Sequence, residues 1–238
     1  MRRCAAEAFG TFILVLLGPG AAAVDRSFAN ASLGPVGVAL AFFFALLAGI
    51  SAFAPTSGAH FNPAVTIAFW SIRRFPGREV LAYILAQCVG AIAAAIAIRA
   101  TTGEAAVAAA TLPTVSVATA FGVEFVFSAI LMAVILGVST NENVPPVLAA
   151  LAVAGCVGGL ALLGSLTGAS MNPARSFGPA LASEVWRAHW LYWLAPITGM
   201  LAAARVHTMT QQRPAGQASA ERPLGVEGPI ALRIPAGL

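Results

Sequence analysis

Apolar residues come in long blocks along this chain, separated by short polar or glycine- and proline-rich stretches. Candidate blocks cover about 4–24, 33–54, 80–100, 115–138, 146–166 and 189–204. Most exceed the roughly 18–20 residues that carry an α-helix across a bilayer core. The last is the shortest, and Trp186, Trp190, Tyr192 and Trp193 are placed to anchor one end of it at headgroup level. The pattern predicts six membrane-crossing helices in one polytopic unit, because no polar linker divides the blocks.

Composition strengthens this reading. The chain of 238 residues is 59% hydrophobic and only 9% charged, against roughly 25% for an ordinary soluble domain. Its net charge of +4 comes with thirteen basic residues, all arginine. These form no nucleic-acid patch; they fall at the edges of the apolar blocks. Arg2, Arg3, Arg73, Arg74, Arg78, Arg205 and Arg213 share one side of a six-span arrangement, and Arg26, Arg99 and Arg187 share the other. The positive-inside bias then puts both termini in the cytoplasm, in a multi-pass protein of the inner or plasma membrane. The first block is too long, and too closely followed by others, for a cleavable signal. Cys4, Cys88 and Cys156 are dispersed within or beside spans and read as packing residues, not a disulfide framework. From about 207 to 238 the chain turns proline-, glycine- and alanine-rich and reads as a flexible cytoplasmic tail behind a channel domain of 1–206.

An internal repeat sharpens the prediction. Residues 57–64, Ser-Gly-Ala-His-Phe-Asn-Pro-Ala, align without gaps to 167–174, Thr-Gly-Ala-Ser-Met-Asn-Pro-Ala. Each copy follows two spans and precedes a third, and each half carries a lone acid in its first span, Glu7 and Glu124. Three spans per half is an odd number, so halves of about 4–100 and 115–206 must enter the membrane from opposite sides. Asn62 and Asn172 are suited to helix N-caps, and Pro63 and Pro173 to first helical positions, followed by Ala64 and Ala174. The helices that follow, about 63–72 and 173–182, are too short to cross. They read as re-entrant half-helices, whose loops must line a cavity or lie buried in protein.

Two Asn-Pro-Ala copies in one frame of an inverted six-span repeat, with Arg175 directly after the second, closely resemble the aquaporin, or major intrinsic protein, family over residues 4–206. The resemblance implies an all-α fold of six transmembrane helices plus two half-helices. It implies passive conduction of water or another small neutral solute, with protons and ions excluded, one pore per subunit and a homotetramer in the bilayer. No enzyme activity, cofactor or nucleic acid is implied, and no phosphate-binding loop occurs in the sequence.

Arg175, opposite Val65 in the first half, is by resemblance part of the aromatic/arginine selectivity filter; charged residues within membrane segments are functional by default. Spacing from the asparagines carries over three further filter positions. Phe42 takes the aromatic place, Leu160 a place held by His in strictly water-selective members, and Ala169 the small-residue place. Leu160 favours solutes with a carbon face. Ser176 and Ala180, where glycerol facilitators carry Asp and a basic residue, pull the other way, as does Tyr192-Trp193. The composite filter resembles nodulin-type intrinsic proteins, leaving water selectivity and broader conduction of glycerol, urea or metalloid acids both open. In the family the acids matching Glu7 and Glu124 accept backbone N–H bonds from the motif loops. His60 reads as loop packing or an inner-vestibule residue; a metal site needs several ligands and none accompanies it. Gly155 and Gly159, at GxxxG spacing, and Gly49 read as close helix crossings. An intramembrane protease is disfavoured by the lack of a Ser/His pair in the spans. A cation channel or ion-coupled transporter is disfavoured by Arg175.

Overall fold

The computed structural model describes residues 1–27 and 33–211, which form helices joined by turns and loops. In chain order the helices are α1 (Arg2–Ser27), α2 (Gly34–Ser57), α3 (Pro63–Ser71), α4 (Gly77–Thr102), α5 (Val117–Ser139), α6 (Pro146–Ala161), α7 (Pro173–Ser183) and α8 (Leu191–Gln211). A 3₁₀ segment, Gly103–Ala109, extends α4, and a short 3₁₀ turn, Gly164–Leu166, follows α6. The half-helices thus begin at Pro63 and Pro173 as the capping argument requires.

The span boundaries need correction. Four helices, α1, α2, α4 and α5, are long and apolar enough to cross a membrane on those grounds alone. The short crossing element is α6, with 16 residues, and not the last helix, which runs for 21. Helix α8 continues past residue 206, so 207–211 are helical and not tail; the rest of the expected tail lies outside the described residues. Tyr192 also departs from its expected interfacial role. It is fully buried, while Trp186 and Trp190 are about half exposed.

The two halves pack alike. Helix α1 lies along α4, and α5 along α8. Each crossing hinges on one glycine at which a side chain has no room. A Cβ at Gly90 would sit 2.0 Å from the Ala8 carbonyl oxygen, and one at Gly199 would sit 2.3 Å from that of Phe125. Ala8 and Phe125 each follow the buried acid of their half. Backbones this close need no interhelical hydrophobic drive, which lipid would not supply. By contrast, Gly155 and Gly159 are exposed with open space at their Cβ positions, so the GxxxG pair makes no crossing among the described residues. The crossing glycine of α6 is Gly158, held against Ala39 and Phe43 of α2. Gly49 is tight for another reason: the Phe61 ring wedges between it and Gly10. Cys4, Cys88 and Cys156 are free thiols, each partly buried.

Candidate functional site: a pore built on two re-entrant loops

Both motif loops adopt backbone conformations that their side chains resist. Ala59 and Phe61 in the first, and Ala169 and Met171 in the second, have φ between 43° and 51°, a left-handed region costly for residues with a Cβ. Hydroxyls hold the alanines, Ala59 N donating to Ser57 Oγ at 3.1 Å and Ala169 N to Thr167 Oγ1 at 3.2 Å, and buried carboxylates hold Phe61 and Met171. Glu7 accepts from His60 N at 3.0 Å and Phe61 N at 2.7 Å, and Glu124 accepts from Ser170 N and Met171 N, both at 2.8 Å. Ser57 and Thr167, which open the aligned segments, each donate a hydroxyl to the same acid at 2.7 Å. Glu7 has a further donor, Gln87 Nε2, at 2.8 Å. The Phe61 and Met171 N–H groups therefore each meet a charge-assisted acceptor, which offsets the strain locally.

Two tyrosines complete the frame and were missed by motif reasoning. The Tyr83 hydroxyl donates to the Ser57 carbonyl at 2.9 Å, and that of Tyr192 to the Thr167 carbonyl at 2.7 Å. They stand 21 and 20 residues after the motif asparagines, in the helix after each half-helix. That recurrence was the available signal.

Asn62 and Asn172 each do two things. Their Oδ1 atoms cap the half-helices, accepting from Ala64 N at 2.9 Å in one case, and from Ala174 N at 3.0 Å and Arg175 N at 3.2 Å in the other. Their amide nitrogens cross to the opposite loop: Asn62 Nδ2 donates to the Met171 carbonyl and Asn172 Nδ2 to the Phe61 carbonyl, both at 2.8 Å. A carboxamide nitrogen carries two hydrogens. One hydrogen on each is committed to the opposite loop, and both asparagines line a cavity of about 400 Å³.

That cavity follows three helix stripes. Phe42, Leu46, Ile50 and Ala54 line it from α2, at four-residue steps that track it for about 18 Å. Leu131, Ile135 and Val138 line it from α5, and Pro146, Ala149, Val153 and Val157 from α6. Polar lining clusters at one end, where Ser139, Asn141, Glu142 and His60 stand. His60 is an aromatic-packed loop residue, its ring 5.1 Å from that of Phe69 and its Nδ1 3.0 Å from Thr66 Oγ1. Among the described residues, no cluster of side chains could hold a metal ion.

Arg175 and Phe42 stand at the far end. The guanidinium carbon lies 5.2 Å from the Phe42 ring centroid. Nη2 donates to the Gly168 carbonyl at 3.0 Å and Nη1 to that of Ala109, in the 3₁₀ segment, at 3.4 Å. Nε has no hydrogen-bond partner among the described residues. Phe42 itself rests on Gly18, where a Cβ would collide with its ring. Leu160 continues the α6 stripe one turn past Val157, beyond the residues that line the cavity, and packs against the cluster containing Phe42 and Ala169. Ala169 is buried in the second loop.

The model of the family described as major intrinsic protein matches residues 1–207. The chain belongs to that family. It is similar to a probable aquaporin, AqpM, of Archaeoglobus fulgidus, at 41% identity over 85% of this chain and 94% of that one. It is also 37% identical to aquaporin NIP6-1 of Arabidopsis thaliana, over 93% of this chain and 72% of the relative. Among solved structures, the aquaglyceroporin of Plasmodium falciparum superposes with a TM-score of 0.74 at 27% identity, covering 87% of this chain and 94% of the other. As a major intrinsic protein the chain is a multi-pass membrane channel that passes water passively; members of the family are channels, not enzymes.

Proposed function

We propose that this major intrinsic protein conducts water and, beyond water, small uncharged solutes with a carbon face, while excluding protons and ions. The observation that carries the proposal is the pairing of Arg175 with Phe42 at the end of an apolar cavity. Arg175 supplies N–H donors to a passing solute and a fixed positive charge against cations. Phe42, Leu160 and Ala169 supply the apolar wall of the filter. The remaining amide hydrogens of Asn62 and Asn172 donate to a solute oxygen midway, at two helix N-termini whose dipoles repel cations. A water oriented by both cannot pass a hydrogen bond along the file, which interrupts proton transfer. Glu7, Glu124 and His60 hold the loops that carry this geometry.

The assembly is a homotetramer with one pore per subunit. The exposed Gly155–Gly159 face of α6 is available to a neighbouring copy. The arginine distribution supports cytoplasmic termini, with Arg175 toward the outer face of the cell's inner or plasma membrane. Residues 1–206 act as the channel domain. A strictly water-selective pore is the second reading, favoured by Ser176, Ala180 and the aquaporin names of the relatives; the likeness to an aquaglyceroporin favours the wider one.

Stopped-flow light scattering on proteoliposomes separates the two. An impermeant osmolyte reports water, and a glycerol gradient reports solute entry. Reswelling in glycerol faster than in liposomes carrying an Asn62/Asn172 double substitution supports the wider pore. Fast shrinkage without faster reswelling leaves water alone. Indifference to both gradients would overturn open conduction.

A further inference from the structure

At one end of the bundle stand arginines that pair with no acid among the described residues, next to an exposed apolar stripe. Half-helix α3 ends in a tight turn, in which Arg73 N donates to the Trp70 carbonyl and Arg74 N to that of Phe69, both at 2.9 Å. The chain then folds back so that Gly77 meets the Trp70 indole; a Cβ there would sit 2.8 Å from Nε1. Arg78, the residue after Gly77, stands in the first turn of α4, four residues beyond Arg74 across this turn. All three arginines are exposed, as is Trp70. The acid of this segment, Glu79, is already engaged by Arg3, whose guanidinium also lies 5.5 Å from the Phe75 ring centroid.

Below Arg78, Leu81, Leu85, Val89 and Ile96 recur at three-, four- and seven-residue steps along α4, each more than half exposed. Such spacing is one helix face. At its other end the compensation differs: Arg99 is paired with Glu104 at 2.8 Å. The exposed face of α4 thus carries an apolar strip, with Arg78 at one end of it and Arg73, Arg74 and the exposed Trp70 just before the turn into α4, and none of these arginines is in an ion pair among the described residues.

We infer that this face holds an anionic phospholipid, its phosphate on Arg73, Arg74 and Arg78 and an acyl chain along Leu81, Leu85 and Val89. Trp70 sits at the headgroup level, where indoles concentrate. Each arginine near an anionic lipid surface contributes roughly a fivefold gain in affinity, so three together give a factor of about a hundred. A phosphate ion would use the cations but not the strip.

The test is lipid retention by the purified full-length protein, read by native mass spectrometry against phosphatidylglycerol and phosphatidylcholine of matched chains. Expected are preferential retention of phosphatidylglycerol and a loss of about a hundredfold in R73Q/R74Q/R78Q. An R26Q/R205Q variant, which removes two exposed charges on other helices, should keep the preference. L81S/L85S should weaken retention with the arginines intact. Water permeability in phosphatidylcholine vesicles, unchanged in every variant, checks that each remains folded. Equal retention of the two lipids, or an R73Q/R74Q/R78Q variant that binds like the parent, would overturn the assignment. So would displacement of the lipid by inorganic phosphate at millimolar concentration.

Discussion

Asn62 Nδ2 donates to the Met171 carbonyl at 2.8 Å, across 109 residues of chain. Asn172 returns the bond to Phe61 at the same distance. The reciprocal pair joins two loops that enter from opposite ends of the bundle, and it leaves each amide one hydrogen to offer the pore.

Replacing Asn62 with Ala removes a cap worth ~1 kcal/mol and strands the buried Met171 carbonyl, at a further ~1–3 kcal/mol. The Asn172→Ala change should cost a similar amount. Thermal unfolding in detergent should show each loss. The double variant should reduce osmotic permeability to that of empty liposomes. Near-normal water flow in it would mean the asparagines act only as caps.

Glu124→Gln preserves shape but not acceptor count. Glu124 Oε1 accepts from Thr167 and Ser170, and Oε2 from Met171. A carboxamide must turn N–H groups toward one of these donors, leaving a buried N–H unpaired at ~1–3 kcal/mol. Because that N–H belongs to a strained backbone, the expected result is lower thermal stability together with lower water permeability. Lost stability with full permeability would separate folding support from pore geometry.

Leu160→His tests the filter. A polar side chain on the wall should reduce glycerol entry by at least severalfold while water flow stays within about twofold, since water uses few contacts and a carbon face needs an apolar one. The stopped-flow pair of gradients reads both. Glycerol entry and water flow both unchanged would place Leu160 outside the conduction path.

Gly90→Ala and Gly199→Ala put a methyl into the backbone of the facing helix. Overpacking of this kind costs ~1–3 kcal/mol, so both should lower the melting temperature. Gly155→Ala, with open space at its Cβ, should leave monomer stability unchanged or raise it by ~0.5–1 kcal/mol through helix propensity. If Gly155 instead meets a neighbouring copy, its replacement by Leu should shift the oligomer distribution on size-exclusion chromatography.

Much of this molecule is written in local pattern. Block length and charge depletion specify membrane helices, because hydrocarbon admits no unpaired backbone. The duplicated Asn-Pro-Ala segment specifies two half-helices and the inverted repeat, because N-capping and the fixed φ of proline act on neighbouring residues. Both half-helices begin where those rules put them. What the pattern left undecided depends on contacts between distant segments. Gly155 and Gly159 share the spacing of a crossing motif, yet Gly158 makes the crossing; the rotation of α6 about its axis is set by its packing on α2. Tyr192 reads as an interfacial aromatic, yet it is buried on the Thr167 carbonyl, since the partner for its hydroxyl comes from a loop 25 residues earlier. The cross-loop amide bonds, the compression of Phe61 between Gly10 and Gly49, and the placing of Arg175 over Phe42 all join segments far apart in the chain. Their energies depend on three-dimensional distance, and that distance exists only once the two halves have closed around the pore.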